Sequence, residues 1–170
     1  DSTVGEGSMT IELGAWNADQ STFTVKSGSP PVTVTIDAEN DSLSEIRNKI
    51  NAANAGVTAS IVNDANGARL TLRSTETGEQ NGFRIITADN DGNDTDTNGL
   101  SALAFNPGAG VAPMTRNQAA SNALATINGL EVVSSSNTLS NVMDGLTITL
   151  GKATTAPVDV SVKQDNETIK

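Results

Sequence analysis

Residues 88–99, ADNDGNDTDTNG, hold a dense cluster of oxygen donors, and the chemistry such a cluster serves is hard-cation binding. Asp89, Asp91 and Asn93 match the opening of an EF-hand loop. That pattern asks for Gly at position 94 and Glu six residues later, where this chain has Asp94 and Leu100. A solvated, mobile loop is the plainer reading, so no metal site is assigned. Paired carboxylates also serve glycoside cleavage as acid and base, yet nearly all the acids here fall in turns or on outward strand faces. Lys26-Ser27 is an ordinary dipeptide in a turn, without the spacing that lets a lysine activate a serine. The chain has no histidine and no cysteine, which removes the usual general base, the commonest transition-metal ligands and every disulfide. No catalytic residue and no cofactor is expected, and the chain reads as a protein that is not an enzyme.

Arg69, Arg73 and Arg84 are candidates of another kind. The strand pattern predicts that they line up as a positive strip across adjacent strands, on a sheet face where Glu76 and Glu79 offer balancing charge. A solvated, charge-balanced face is the plain account. A strip opposite in sign to an acidic molecule is also where a self-association contact is expected.

The net charge of −10, with only 10 Lys+Arg, argues against nucleic acid and anionic membrane as partners. No run approaches the roughly 18 apolar residues of a membrane span, and DSTVGEGSMT lacks the basic start and apolar stretch of a signal peptide. Aromatics are limited to Trp16, Phe23, Phe83 and Phe105, too few for a groove built on aromatic platforms. A chain of 170 residues buries roughly 70% of its unfolded surface if compact, enough for one or two small domains.

The elements that must position these residues follow from periodicity. Met9, Ile11 and Leu13 alternate with Thr10 and Glu12, as a half-buried strand requires, and Phe23/Val25 and Val32/Val34/Ile36 repeat the pattern on either side of a GSPP turn. Ser42 followed by Glu45 is a capping-box signature. It predicts a helix from Leu43 with Leu43, Ile46, Ile50 and Ala53 on one stripe, stopped by Asn54 and Gly56. Val57/Ala59/Ile61 and Leu70/Leu72 then form strands around Asn66-Gly67, and Phe83/Ile85 another. Leu100, Leu103 and Phe105 suggest a short helical turn, and Pro107, Gly108, Gly110 and Pro113 break regular structure. Asn128-Gly129 marks a second hairpin. Thr138 is expected to cap a turn or two of helix carrying Leu139 and Val142 and ended by Gly145, before strands over Leu146–Leu150 and Val158–Val162.

The phrase SLSEIRNKINAANAGVTASIV thus has an echo in TLSNVMDGLTITL, shorter by about two helical turns. Two variants of one strand, helix, strand unit, or a chance similarity of caps, both account for it. The expected fold class is α+β: two small, mainly antiparallel sheet modules, each with one packed helix, strand-rich overall.

SLSEIRNKINAANAGVTASIVNDANGARLTLRSTETGEQNGFRI resembles the insert region of the hook-associated protein 2 family of flagellar filament-capping proteins, the FliD family. NALATINGLEVVSSSNTLSNVMDGLTITL is similar to that family's continuation, and together the stretches cover about residues 9 to 163. The resemblance implies a head fragment of a longer chain that assembles as a homo-oligomeric ring, exported unfolded and placed outside the cell at the flagellum tip. Flagellin would be its partner and flagellin assembly, hence motility, its function. It implies no catalytic residue. Because both ends must return to one leg, the expected domains are an outer module, 16–107, and an inner module, 1–15 plus 117–170, with a linker over 108–116. The strand at Met9 to Leu13 is then expected to pair within the inner module. Two alternatives stay open: an adhesive module binding host glycan or mucin, and the variable outer domain of a flagellin.

Overall fold

A computed structural model describes residues 3–159 apart from Asn66, Asp144 and Thr155. The chain divides into two compact units, residues 1–136 and 137–170. The strand expected over Val158, Val160 and Val162 lies largely outside the described residues, as does the Asn66 half of the first expected hairpin turn.

The first unit is organised by strand β1 (Gly7–Trp16). Its alternation buries Met9 and Ile11 and leaves Thr10 and Glu12 on the opposite face. One edge of β1 pairs antiparallel with β3 (Val32–Ile36) over Gly7–Ile11 and then with β2 (Phe23–Val25) over Gly14–Trp16. Its other edge pairs with β6 (Gly82–Asp89) along Gly7–Gly14. Gly14 permits the close passage of β2: a Cβ there would lie 2.2 Å from the Thr24 carbonyl oxygen and 2.7 Å from the Phe23 ring.

The strand expected beside residues 117–170 therefore pairs elsewhere, with β2, β3 and β6. The reason is ladder length. β6 offers β1 an uninterrupted register from Asp89 back to Gly82, with Ile85 opposite Ile11.

Helix α1 (Leu43–Ala52) starts as expected. Ser42 Oγ accepts the Glu45 N–H at 3.3 Å, but the Glu45 carboxylate takes the Ser42 hydroxyl at 2.7 Å, so only half of a reciprocal capping box is formed. Its stripe buries Ile46 and Ile50, each contributing about 1.5–3 kcal/mol of apolar transfer. Asn54 and Gly56, at φ 51° and 75°, turn the chain after it. The hairpin β4 (Val57–Asp64) and β5 (Gly67–Ser74) returns with Val57, Ala59 and Leu70 buried, and these residues join Met9, Ile11, Val34, Ile36, Ile46, Ile50 and Ile85 in one core. The predicted turn near residue 100 is a 3-10 turn, Gly99–Leu103, that adds Leu100 and Leu103 to it. Phe105 follows, exchanging backbone hydrogen bonds with Ile85 at 2.9 and 3.0 Å.

Strands β7 (Ala123–Ile127) and β8 (Leu130–Ser134) form the second hairpin. Asn128 and Gly129, both at positive φ, supply its two-residue turn.

The second unit corrects an expectation. Thr138–Met143 is strand β9, paired antiparallel with β10 (Leu146–Thr149), where a short helix was predicted. Six residues are too few to offset the cost of helix nucleation, whereas Gly145, at φ 75°, folds β10 back so that Ile148 stands opposite Leu139. The two similar phrases therefore build different structures. The fold class stands as α+β, strand-rich and built of small antiparallel sheets, with one α-helix among the described residues rather than two.

Candidate functional site

The expected arginine strip is divided by the sheet topology. β5 pairs with β4 and β6 pairs with β1, so Arg69 and Arg73 lie on one sheet and Arg84 on another. Arg84 is half-buried: its Nε donates to Glu12 Oε2, its cross-strand neighbour, and its guanidinium carbon lies 5.0 Å from the centre of the Phe23 ring. That side chain is committed to holding β6 and β1 together.

Arg69 and Arg73 stay on the outward face of β5, exposed, either side of Thr71 and opposite Val62 and Thr58. Arg69 makes an ion pair with Asp64 near the hairpin tip. Glu76 and Glu79, the acids expected to balance the strip, sit past the end of β5, and Glu79 is engaged with Asn122 instead. Arg73 has no ion pair among the described residues and is the most available cation of the three.

The acidic loop is built from turns rather than around a cavity. Asp94 Oδ1 accepts the Asp89 N–H at 2.6 Å, Asp91 Oδ1 the Asn93 N–H at 2.8 Å, and Asp96 Oδ1 the Asn98 N–H at 3.0 Å. Asp89 Oδ2 accepts the Ser101 N–H at 2.8 Å, and the fully buried Ser101 hydroxyl donates to the Asn93 carbonyl at 2.9 Å. The short polar side chains satisfy the backbone locally. Among the described residues no three acids converge as a metal site would require.

The aromatics pack on one another. The Trp16 and Phe23 rings are 4.8 Å apart, Trp16 and Phe105 5.9 Å, and Trp16 Nε1 donates to the Phe83 carbonyl at 2.9 Å. A shallow recess of about 280 Å³ beside the end of α1 is lined by Asn51, Asn54, Gly56, Val57, Thr58 and Thr75, with no acid or base on its wall.

Two contacts had no signal in the sequence. Lys26 Nζ donates to Asn81 Oδ1 at 2.7 Å, tying the end of β2 to the turn before β6. Asn51, an apparently solvent-facing helix residue, clamps the backbone of Ala59.

Residues 22–76, from β2 to the end of β5, match the flagellin hook IN motif, and residues 120–170 match the C-terminus of flagellar hook-associated protein 2. The D2–D3 domains of the flagellar cap protein FliD from Escherichia coli share the fold with a TM-score of 0.72 and 30% identity, over 91% of this chain and 69% of that one. The chain belongs to the flagellar hook-associated protein 2 family. A FliD (HAP2) structure from Pseudomonas aeruginosa matches with a TM-score of 0.72 and 27% identity, over 98% of this chain and 70% of that one. Among curated relatives, the B-type flagellar hook-associated protein 2 of Pseudomonas aeruginosa is 35% identical over 149 residues, covering 81% of this chain and 30% of the relative. Flagellar hook-associated protein 2 of Escherichia coli K12 is 37% identical over 124 residues, covering 71% of this chain and 25% of the relative. This FliD-family chain thus spans less than a third of the length of those two relatives. Arg69 and Arg73 fall inside the hook IN match, whereas Arg84 and the acidic loop lie between the two matches.

Proposed function

We propose that this chain is part of the head of a flagellar filament cap, a structural protein that acts outside the cell at the filament tip and promotes flagellin assembly there. The observation that carries this reading is the match to the D2–D3 domains of a flagellar cap protein at 30% identity over 69% of that structure. The cap works by the surface it presents, without catalysis. In support, the carboxylates of the acidic loop serve its turns and the one recess described above carries no charged group. Replacing residues 1–170 by a short linker in the parent gene tests the reading. Unassembled flagellin in the medium and lost motility are expected; normal filaments would overturn it.

In the homo-oligomer, Arg69 and Arg73 face an acidic surface of a neighbouring copy, a head-to-tail contact between unlike surfaces of the kind that closes rings. Support comes from the exposure of both arginines and from the sign of the rest of the molecule. Arg73→Glu is expected to weaken association of the full-length protein in sedimentation. Unchanged association in Arg73→Glu would remove the contact. The expected linker over 108–116 belongs to the same proposal, and limited proteolysis cutting first within 108–116 would support it.

A further inference from the structure

Asparagine followed by glycine is the pair most prone to intramolecular attack on the amide, because glycine carries no side chain to hinder its own nitrogen. Whether the reaction proceeds in a folded protein depends on three local conditions: a side-chain amide without partners, an unengaged following N–H, and a segment that opens readily. The chain contains four such pairs, at residues 66, 81, 98 and 128, the first with its asparagine outside the described residues.

Two of the others are restrained. Asn81 is buried; its side chain accepts from Lys26 Nζ at 2.7 Å and donates to the Thr77 carbonyl at 2.6 Å, and the Gly82 N–H is bonded to the Glu79 carbonyl. Asn98 holds Asp96 Oδ2 through its amide at 3.1 Å, and Gly99 packs so tightly on the Asp89 carboxylate that a Cβ would lie 2.5 Å from it.

Asn128 differs in its side chain and in its surroundings. It is exposed at a hairpin tip, its amide has no hydrogen-bond partner among the described residues, and nothing lies within 4 Å of the Cβ position of Gly129. The hairpin that carries it is also weakly supported. Among the described residues β7 and β8 ladder only with each other, and Leu124, Leu130 and Val133 are exposed at 64%, 72% and 59%. A two-stranded hairpin of this kind is marginal by itself and opens locally at small cost. It is stapled to the body at its root, by Thr77 Oγ1 donating to the Ser135 carbonyl at 2.9 Å and the Glu79 N–H donating to Asn122 Oδ1 at 3.0 Å.

We propose that Asn128 is a site of spontaneous deamidation, an irreversible modification whose rate is set by how often the β7–β8 hairpin opens. The Gly129 nitrogen loses its proton and attacks Asn128 Cγ. The new N–Cγ bond forms as the Cγ–Nδ2 bond breaks, and ammonia leaves with that proton. Water then opens the cyclic imide at either carbonyl, giving aspartate or isoaspartate. No oxidant or enzyme is needed. Either product adds a negative charge at the tip, and isoaspartate lengthens the backbone by one methylene, which changes the geometry of the two-residue turn.

The test is peptide mapping by mass spectrometry after incubation of the folded chain at mildly alkaline pH, with a parallel sample in urea. In the folded sample isoaspartate is expected at Asn128 well before Asn81 or Asn98, and in urea the three converge. Removing the staples with Thr77→Val and Asn122→Ala is expected to raise the Asn128 rate several-fold while leaving Asn98 unchanged. Equal rates at the three sites in the folded sample, or an Asn128 rate insensitive to the staples, would overturn the proposal.

Discussion

Asn51 exchanges two hydrogen bonds with the backbone of Ala59, accepting its N–H at 2.7 Å and donating to its carbonyl at 3.0 Å. The side chain stands in for a missing strand on the edge of β4 and fixes helix against hairpin. Asn51→Ala strands both backbone groups of a buried residue, so a loss of about 2 kcal/mol is expected in urea denaturation. Asn51→Asp keeps the acceptor and loses the donor, and is expected to fall between the two. A loss under about 0.5 kcal/mol in Asn51→Ala, the range of ordinary surface changes, would dismiss the clamp.

Gly14→Ala is expected to destabilise by about 1–3 kcal/mol, because its Cβ meets backbone oxygen and an aromatic ring that cannot both retreat. Gly151→Ala, in open space, is the matched control and is expected to be near neutral. Trp16 reports on the change directly. It pairs with Phe23 across the β1–β2 ladder, so its emission is expected to shift in the folded Gly14→Ala variant.

The Arg84–Glu12 and Arg69–Asp64 pairs should separate by burial. The first is half-buried and backed by the Phe23 ring; the second sits at an exposed hairpin tip. Glu12→Gln is expected to cost more than about 1 kcal/mol and to depend little on salt. Asp64→Asn is expected to cost about 0.2–1 kcal/mol at low ionic strength and less at high. Equal costs with equal salt dependence would show that β1 and β6 are not held by that pair.

Two exposed carboxyls carry an acid dependence. Hydrogen bonds from the Ser21 hydroxyl and N–H hold Asp19 below its ordinary 3.8, and the Asn40 amide, with Lys49 adding a smaller effect, does the same for Asp37. A carboxyl with a depressed folded pKa stabilises the fold above the unfolded value and loses that contribution as pH falls through the folded one. Stability is therefore expected to be level from neutral pH down to about 4 with respect to these groups, then to drop below it, and Asp19→Asn with Asp37→Asn to flatten part of the drop. Carboxyl titration by NMR gives the readout, and ordinary midpoints at both residues would contradict it.

The elements most legible in the sequence were those whose signals are local. Ser42 and Glu45 announced α1, alternation announced β1, β3, β4 and β5, and Asn128-Gly129 announced its hairpin, because caps, pleats and tight turns are set by residues within a few positions of each other. Partner choice was not legible. Which strand meets β1 is decided by register along a whole ladder, which placed Arg84 beside Glu12 rather than beside Arg73. Thr138–Met143 went wrong for a related reason: a capped apolar pair fits a helical turn or a strand equally, and a neighbouring strand in reach decides between them. The clamp of Asn51 on Ala59 had no signal, since an asparagine late in a helix looks like any solvated one.

β1 lies near the beginning of the chain, yet its longest partner closes the sheet by setting Gly7 against Asp89. Everything between them must be present before that ladder can zip, which makes the contact order of this unit high and its folding slow relative to a helical bundle of the same size. In a chain that folds as it emerges from its amino-terminal side, β1 would wait, its apolar side open, until β6 arrived. The arrival of β6, far more than the early turn at Ser42, would then set the moment at which the surface takes shape.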